Sequence, residues 1–316
     1  MTRGKNSTPA LQVNLLREGI IESRHQTEAI VSDAKGRIML AAGHSTTSAF
    51  IRSALKPFQA LAVVSSGTLE RYNLTDKDLA VICSSHQGTT EQARQVFNIL
   101  WRCNIEPTAL QCPIPPGKQT ALQHNCSGKH AGMLAVCQQN NWSLNTYLSY
   151  SSPIQKLILK KLEELIQIPG TELICAHDDC GAPTYYMQLT QMAHLYAQLA
   201  AGTNLDLERV VRAMTYYPAM IAGNNCFDTE LIRLTEGEIV SKSGGEGIQC
   251  IAKVGEGMGL AIKVIDGAKR AKYATAIYLL KQMGWISPEV AEILGDKFML
   301  LSKYKRLEVE GEISVV

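Results

Sequence analysis

The chain has 316 residues, 46 % of them hydrophobic, and its 31 basic and 29 acidic residues leave a formal charge of +2. That length supports one large domain or two smaller ones around a substantial core. The charges form no blocks, which excludes a basic stripe for nucleic acid and an acidic tail, and leaves a small molecule as the expected partner.

In chain order, the opening MTRGKNSTPALQVNLL contains no apolar run of signal-peptide length, and no later segment is apolar for long enough to span a bilayer. A cytoplasmic protein without membrane contact is therefore expected. The stretch GIIESRHQTEAIVSDAKGRIMLAAG (19–43) alternates apolar and polar residues around SDAKG, where Asp33 and Gly36 suit a tight turn, and predicts a β-hairpin.

From Ser53 to about Tyr217, apolar residues recur at three- and four-residue spacing and predict helices at 53–66, 90–102, 129–140, 153–167, 184–200 and 206–217. Two β-like runs interrupt them, LAVICSS (79–85) and ELICAHD (172–178). After FDTELIRL come two strand-like stretches, EIVSKSGGEGIQCIAKV (238–254) and MGLAIKVIDG (258–267). An amphipathic helix over AKRAKYATAIYLLKQMG follows, closed by Gly284.

No repeat, low-complexity tract or linker divides the chain. The expected architecture is α/β of the α+β type in a single domain over 1–316. A central antiparallel sheet is drawn from both chain ends, 8–52 and 218–316, with a terminal helix and a mainly helical insertion over 53–217.

Nine cysteines are scattered with no C-x-x-C pair and no compact framework, as expected of buried thiols in a reducing compartment. Cys137, Cys175 and Cys250 lie in apolar runs. Cys126 and Cys180 stand apart because glycine-containing loop sequence follows each.

One lysine, Lys56, lies inside a stretch that, apart from Gln59, is otherwise apolar or small from Ser53 to Gly67. If Ser53 opens a helix, Lys56 shares its face three residues on, and an amine in apolar surroundings is suited to accept a serine proton. A second S-x-x-K, Ser32 to Lys35, sits in a polar turn where the amine would stay solvated and protonated. Farther on, CSSHQG ends an apolar run with Ser84 and Ser85. KSGGEG (242–247) brings a lysine, a hydroxyl and glycines that let backbone N–H groups approach a substrate oxygen. S-x-x-K, a serine element, then K-[ST]-G before a final strand and helix is the order found in serine β-lactamases and penicillin-binding proteins.

The stretches RSALKPFQA, SSHQG, NCSGKHAGML, CGAPTYYM, FDTELI and KSGGEG together resemble the Rhizobium-type (class 3) L-asparaginases, over nearly the full length. The fold of that family is related to those of serine β-lactamases and glutaminases. The resemblance implies hydrolysis of L-asparagine to aspartate and ammonia through an acyl-serine intermediate. Ser53 would be the nucleophile, Lys56 its base, Ser85 a proton relay and Lys242 a second cationic or proton-shuttling group. Arg52, His130 and Asp178 would line the substrate pocket, Asp178 suiting an α-ammonium group. The resemblance also implies a homodimer and a zinc ion on Cys126, Lys129, Cys180 and water. From residue chemistry alone, Cys126, His130, His177 and Cys180 form an alternative zinc set, because histidine is the commoner ligand. Cys226, in IAGNNCFDTEL, stands where the family pattern carries a basic residue.

Other functions remain open to the sequence. A serine hydrolase acting on glutamine or another small amide would use the same machinery, a zinc hydrolase would attack with metal-bound water, and a non-catalytic ligand-binding protein would need neither. Lys56 argues against the last, since burying a lysine costs stability.

Overall fold

The computed structural model describes residues 8–316, so the first seven residues of the stretch read for a leader lie outside it. The chain forms two compact units. One holds the chain up to Ala54 together with Met187–Ala201 and Leu234–Val316; the other holds Leu55–Tyr186 and Gly202–Arg233. Ser53 thus belongs to the first and Lys56 to the second.

The first unit contains a nine-stranded antiparallel sheet drawn from both chain ends, as expected. Its organising strand is Ile20–Asp33. Thr27 pairs with Leu11 on one edge and with Val264 on the other, and farther along Ala29 pairs with Ala42 and Ile262. One edge of this long strand is therefore shared by Leu11–Arg17 and Ile38–Ala42, while Met258–Val264 runs along the opposite edge. The predicted hairpin turn is present: Asp33 Oδ1 accepts the N–H groups of Lys35 (3.0 Å) and Arg37 (2.9 Å), and Gly36 takes φ +79°.

Strand Met258–Val264 is nearly all buried because helices cover both of its faces. Val264 packs with Ala271 and Ala274 of the terminal helix Lys269–Gln282, alongside Val13, Leu15 and Leu307. Gly259, five residues earlier and so on the opposite face, meets helix Leu189–Leu199 so closely that a Cβ there would lie 2.1 Å from the Ala193 carbonyl oxygen. Beyond Gly284, which closes the predicted terminal helix, the chain adds helix Pro288–Phe298 and strands Leu300–Ser302, Lys305–Glu310 and Ser314–Val315 to the same unit.

In the second unit the helices Thr90–Arg102, Ser127–Gln139, Pro153–Ile166 and Leu205–Tyr216 match the periodic segments closely. Gly128 and Gly132, one helical turn apart, face Val81 and Ile82, which explains the two glycines of GKHAG as a close approach between helices.

Three segments differ from expectation. LAVICSS is mostly helix, Asp76–Ile82, because Thr75 and Asp78 form a reciprocal capping box ahead of the apolar run. The 53–66 segment is a 3-10 turn, Arg52–Leu55, followed by short helices Lys56–Gln59 and Leu61–Ser65, with Pro57 in the first turn of one. The 184–200 segment is strand Pro183–Gln188 followed by Leu189–Leu199, a helix started by a Gln188–Gln191 capping pair and packed on the sheet rather than among the inserted helices. ELICAHD does form a strand, Ile174–His177, paired antiparallel with Pro183–Gln188.

Candidate active site

Within the sheet unit, Ser53 sits in the 3-10 turn Arg52–Leu55, and Arg52 immediately before it has φ +53°. A left-handed arginine is an uncommon backbone state that surrounding structure must hold in place. Lys242 is fully buried near the end of edge strand Ile239–Ser243, with Nζ donating to the Ser243 carbonyl at 3.0 Å. The strand turns at Gly245–Ile248, where Glu246 (φ +51°) and Gly247 (φ +75°) are both left-handed and Ile248 N–H donates to Gly245 O. Two consecutive left-handed residues suit the right-handed twist of a hairpin. Gly244 is a glycine because a Cβ would lie 2.9 Å from the Ile51 carbonyl oxygen; a Cβ on Gly245 would lie 3.4 Å from Arg52 Cζ. The KSGGEG turn thus lies against the segment that leads into Ser53.

Within the helical unit, Lys56 is completely buried, and its Nζ donates to Ser84 O at 2.5 Å, Ser85 Oγ at 3.0 Å and Asn125 O at 3.1 Å. Lys56 is therefore the point at which SSHQG and NCSGKHAG meet. Two further contacts lock these loops together. A Cβ on Gly88 (φ +66°) would overlap the Gln123 carbonyl at 2.2 Å, so only glycine allows that approach. His86 Nδ1 accepts from Gly88 N–H at 3.0 Å, which leaves Nε2 as the N–H that reaches Ser127 Oγ at 2.9 Å. Burial, with the Lys56 charge nearby, pushes the His86 pKa down to about 3, in agreement with that neutral tautomer.

Cys126 caps helix Ser127–Gln139 and Lys129 follows three residues on, so both sit at the positive end of one helix. Lys129 Nζ donates to Cys180 Sγ at 3.2 Å, and all three side chains are buried. The hydrogen bond from the Cys180 thiol, more than the nearby Lys56 and Lys129 charges, holds the Cys126 thiol well below the usual range against the opposing effect of burial. Burial alone would lower Lys129, but the Cys126 and Asp178 charges, with the hydrogen bond to Cys180 Sγ, outweigh it and raise its pKa. Two sulfurs and an amine converging in a buried spot fit a zinc ion by donor chemistry. The alternative set does not gather: among the described residues no three of His, Cys, Asp and Glu come together as a metal site. His177 instead sits exposed with Nδ1 3.0 Å from Tyr150 OH.

His130 is fully buried on the same helix as Lys129. Tyr147 OH accepts from Gln111 N–H at 3.0 Å and lies 2.6 Å from His130 Nδ1, so with the hydroxyl as donor to that nitrogen Nε2 carries the ring proton. That Nε2 is buried without a hydrogen-bond partner. Burial, with the Lys129 charge beside it, holds the His130 pKa well below normal, so the ring is neutral. Asp178 is half-buried in a tight turn closed by Gly181 N–H onto its carbonyl at 2.7 Å, two residues before Cys180. Cys226 Sγ accepts from Gln87 Nε2 at 2.9 Å, so a cysteine partners the SSHQG loop from that position.

The structure thus brings Lys56, Ser85, Cys126, Lys129, His130, Asp178 and Cys180 together on one unit, and Arg52, Ser53 and Lys242 on the other. Sequence reasoning did not single out His86, Tyr147 or Asn125. His86 lies inside SSHQG and could have been found there; Tyr147 and Asn125 act through contacts that no local pattern announces.

A family model described as L-asparaginase II matches residues 13–315. No curated protein matches the chain. Among solved structures, Mglu matches at 15 % identity and TM-score 0.49, over 82 % of this chain and 67 % of that one. Mglu in its L-glutamate binding form in the presence of 4.3M NaCl matches at 15 % identity and TM-score 0.41, over 82 % and 60 %. A beta-lactamase-like protein from Bacteroides dorei DSM 17855 matches at 12 % identity and TM-score 0.40, over 83 % and 89 %. The chain spans about two thirds or less of the Mglu chains it matches.

Proposed function

Because the chain belongs to the L-asparaginase II family, we propose that it hydrolyses the side-chain amide of L-asparagine through an ester on Ser53. The observation that carries the reading is Lys56, a fully buried amine three residues after the serine. Two of its contacts are carbonyl oxygens, Ser84 O and Asn125 O, which only N–H groups can satisfy. Its third position is at the Ser85 hydroxyl, which can either accept or donate and so can relay a proton.

In the first half-reaction the Ser53 hydroxyl gives its proton to Lys56, directly or through Ser85, as its oxygen attacks the amide carbon. The tetrahedral oxyanion collapses, the C–N bond breaks, and ammonia leaves with the proton returned from the amine. Water then attacks the ester by the same proton route and releases aspartate and Ser53. Lys242 supplies a second buried cation to the negative charge that develops. His130 Nε2–H is a donor suited to the substrate carboxylate, Asp178 suits the ammonium group, and Arg52 adds a carboxylate partner.

Cys126, Lys129 and Cys180 would hold zinc, with water completing the set. A bound ion there would fix the NCSGKHAG and DDCGAP loops and with them His130 and Asp178. A homodimer belongs to the same family reading; among the described residues no helix is long and apolar enough to cross a membrane.

The test is ammonia release from asparagine and glutamine in parallel, by wild type and Ser53→Ala, with mass spectrometry of the acid-quenched enzyme. An ester adduct on the Ser53 peptide and an inactive alanine variant are expected. Turnover preserved in Ser53→Ala would overturn the covalent route. Since one methylene in a pocket is worth only about 1–3 kcal/mol, the ratio of the two substrates' kcat/KM values decides between asparaginase and glutaminase.

A further inference from the structure

Lys272 lies on the terminal helix Lys269–Gln282, is only 3 % exposed, and has no part in the roles assigned above. Its Nζ donates to the carbonyl oxygen of Gly244 at 2.7 Å and to that of Ile248 at 3.1 Å. The turn it grips is already closed without it. Gly244 N–H donates to Ile248 O at 2.9 Å, and Ile248 N–H donates to Gly245 O at 3.1 Å. A buried ammonium is costly, and closing the hairpin does not require one.

The Gly244–Gly245 peptide is trans, so its C=O and N–H point to opposite sides. With the carbonyl fixed on Lys272, the Gly245 N–H is turned away from the terminal helix, and it has no hydrogen-bond partner among the described residues. A Cβ on Gly244 would meet the Ile51 carbonyl and one on Gly245 the Arg52 guanidinium, so the residues that lead into Ser53 pack close to this peptide. A cation on the carbonyl also draws electron density through the amide and makes its N–H a stronger donor.

We propose that Lys272 is a positioning residue that fixes and polarises the Gly244–Gly245 peptide, so that the Gly245 N–H is held ready to donate to the oxyanion formed at Ser53. The inference rests on the acyl-serine reading given above. It differs from a purely structural role in what it predicts: a strut would affect stability alone, whereas a positioning residue affects the step in which charge develops on the substrate oxygen.

The test compares Lys272→Met, Lys272→Gln and Lys272→Arg with wild type in two ways. The first is kcat and KM for asparagine. The second is the Gly245 amide resonance and its hydrogen exchange in ¹⁵N-glycine-labelled protein. Lys272→Met should lower kcat by roughly 10–10²-fold while leaving KM within about twofold, the range expected for weakening one oxyanion donor. Its Gly245 amide should shift and exchange faster, and Lys272→Arg should recover most of both effects. Wild-type kcat with an unmoved Gly245 amide in Lys272→Met would overturn the proposal, as would a variant that loses stability but keeps kcat. If Lys272→Met fails to fold, Lys272→Gln, which keeps N–H donors but no charge, is held to the same criteria. If wild type hydrolyses neither asparagine nor glutamine, the acyl-serine reading falls by itself. The Gly245 amide then decides whether Lys272 sets this peptide, and an unmoved resonance overturns it.

Discussion

Lys56 Nζ lies 3.0 Å from Ser85 Oγ while two backbone carbonyls occupy its other near positions, so the hydroxyl is the one neighbour in that set able to exchange a proton with the amine. Replacing Lys56 by arginine keeps the positive charge but removes any capacity to act as a base, because guanidinium does not lose its proton in proteins. Lys56→Arg should therefore lose about 10²–10⁴-fold in kcat, and Ser85→Ala a smaller amount, without unfolding. Steady-state ammonia release with circular dichroism of each variant checks both. An arginine variant with wild-type turnover would remove Lys56 from the role of base.

The Nε2–H of His86 reaches Ser127 Oγ while its Nδ1 accepts from Gly88 N–H, a pattern available only to the neutral ring. Its pKa is about 3 in the fold against about 6.5 in an unfolded chain. Below pH 6.5 the unfolded chain binds a proton that the fold does not, so stability falls as pH drops from about 6.5 to about 3 and is fully present above that window. The loss attributable to this ring is on the order of 4 kcal/mol at the acid end. Urea unfolding at a series of pH values would show it, and His86→Asn should flatten that part of the profile. An equally steep acid loss in the variant would assign the effect to other groups.

Much of this arrangement was legible in the sequence, for reasons that differ by element. The Asp33–Gly36 turn and the helix Thr90–Arg102 are specified locally, by a side chain that caps its own turn and by apolar residues on one face, so their positions follow from spacing alone. Lys56 stood out because a charge inside an apolar run demands a partner, and Lys242 because it heads the KSGGEG motif. LAVICSS misled because a short apolar run reads alike in a strand and in a buried helix, and only the Thr75–Asp78 cap separates them. Lys272 is a buried charge of the same kind as Lys56, yet its helix also carries Lys269, Arg270 and Lys281, among which one inward-facing lysine does not stand out. The left-handed φ of Arg52 and the tautomer of His130 depend on tertiary contacts that no window of sequence contains.

Gly128 offers a test in which two effects have opposite sign. Alanine is favoured over glycine in a helix interior by about 1 kcal/mol, so propensity alone predicts that Gly128→Ala stabilises. A Cβ at that position would lie 2.0 Å from the Val81 carbonyl oxygen, which is backbone and cannot swing aside. Overpacking of this kind costs about 1–3 kcal/mol or more, so the clash wins and the variant should be destabilised. At Gly132 the nearest obstacle, at 2.8 Å, is an Ile82 side-chain carbon that can rotate, so Gly132→Ala should cost less. Urea midpoints of the two variants give the comparison, and a stabilised Gly128→Ala would show that the two helices can separate.

His130 Nε2 is buried without a partner, and the Tyr147 hydroxyl holds the other ring nitrogen. A donor left unsatisfied in the free protein and paired in the complex contributes to binding substrate. His130→Ala should raise KM for asparagine by roughly 10-fold or more, with a smaller effect on kcat, in line with about 1–3 kcal/mol for a hydrogen bond to a charged group. Tyr147→Phe removes the oriented hydroxyl but leaves the ring, so it should raise KM less and lower the thermal midpoint, because Gln111 N–H loses its acceptor. Unchanged KM in His130→Ala would take the histidine out of the substrate pocket.

Metal has two separable roles in a site of this kind. An ion that polarised the scissile amide or supplied the nucleophile would contribute to the transition state, and its removal would collapse kcat. In the proposed reaction the nucleophile, base and second cation are Ser53, Lys56 and Lys242. Cys126, Lys129 and Cys180 lie beside the residues read as substrate ligands: Lys129 precedes His130, and Cys180 follows Asp178 by two positions. Zinc held by these three side chains would act on substrate through the placement of those neighbours. Cys126→Ser and Cys180→Ser, and chelated wild type, should therefore lose zinc, show a KM raised by more than kcat is lowered, and retain measurable turnover at saturating asparagine. Elemental analysis of the purified proteins gives the metal content independently of activity. Unchanged zinc in both serine variants would reject the ligand assignment. Zinc loss with complete loss of turnover in folded protein would instead place the metal in the chemical step and make Ser53 dispensable, which the Ser53→Ala measurement checks from the other side.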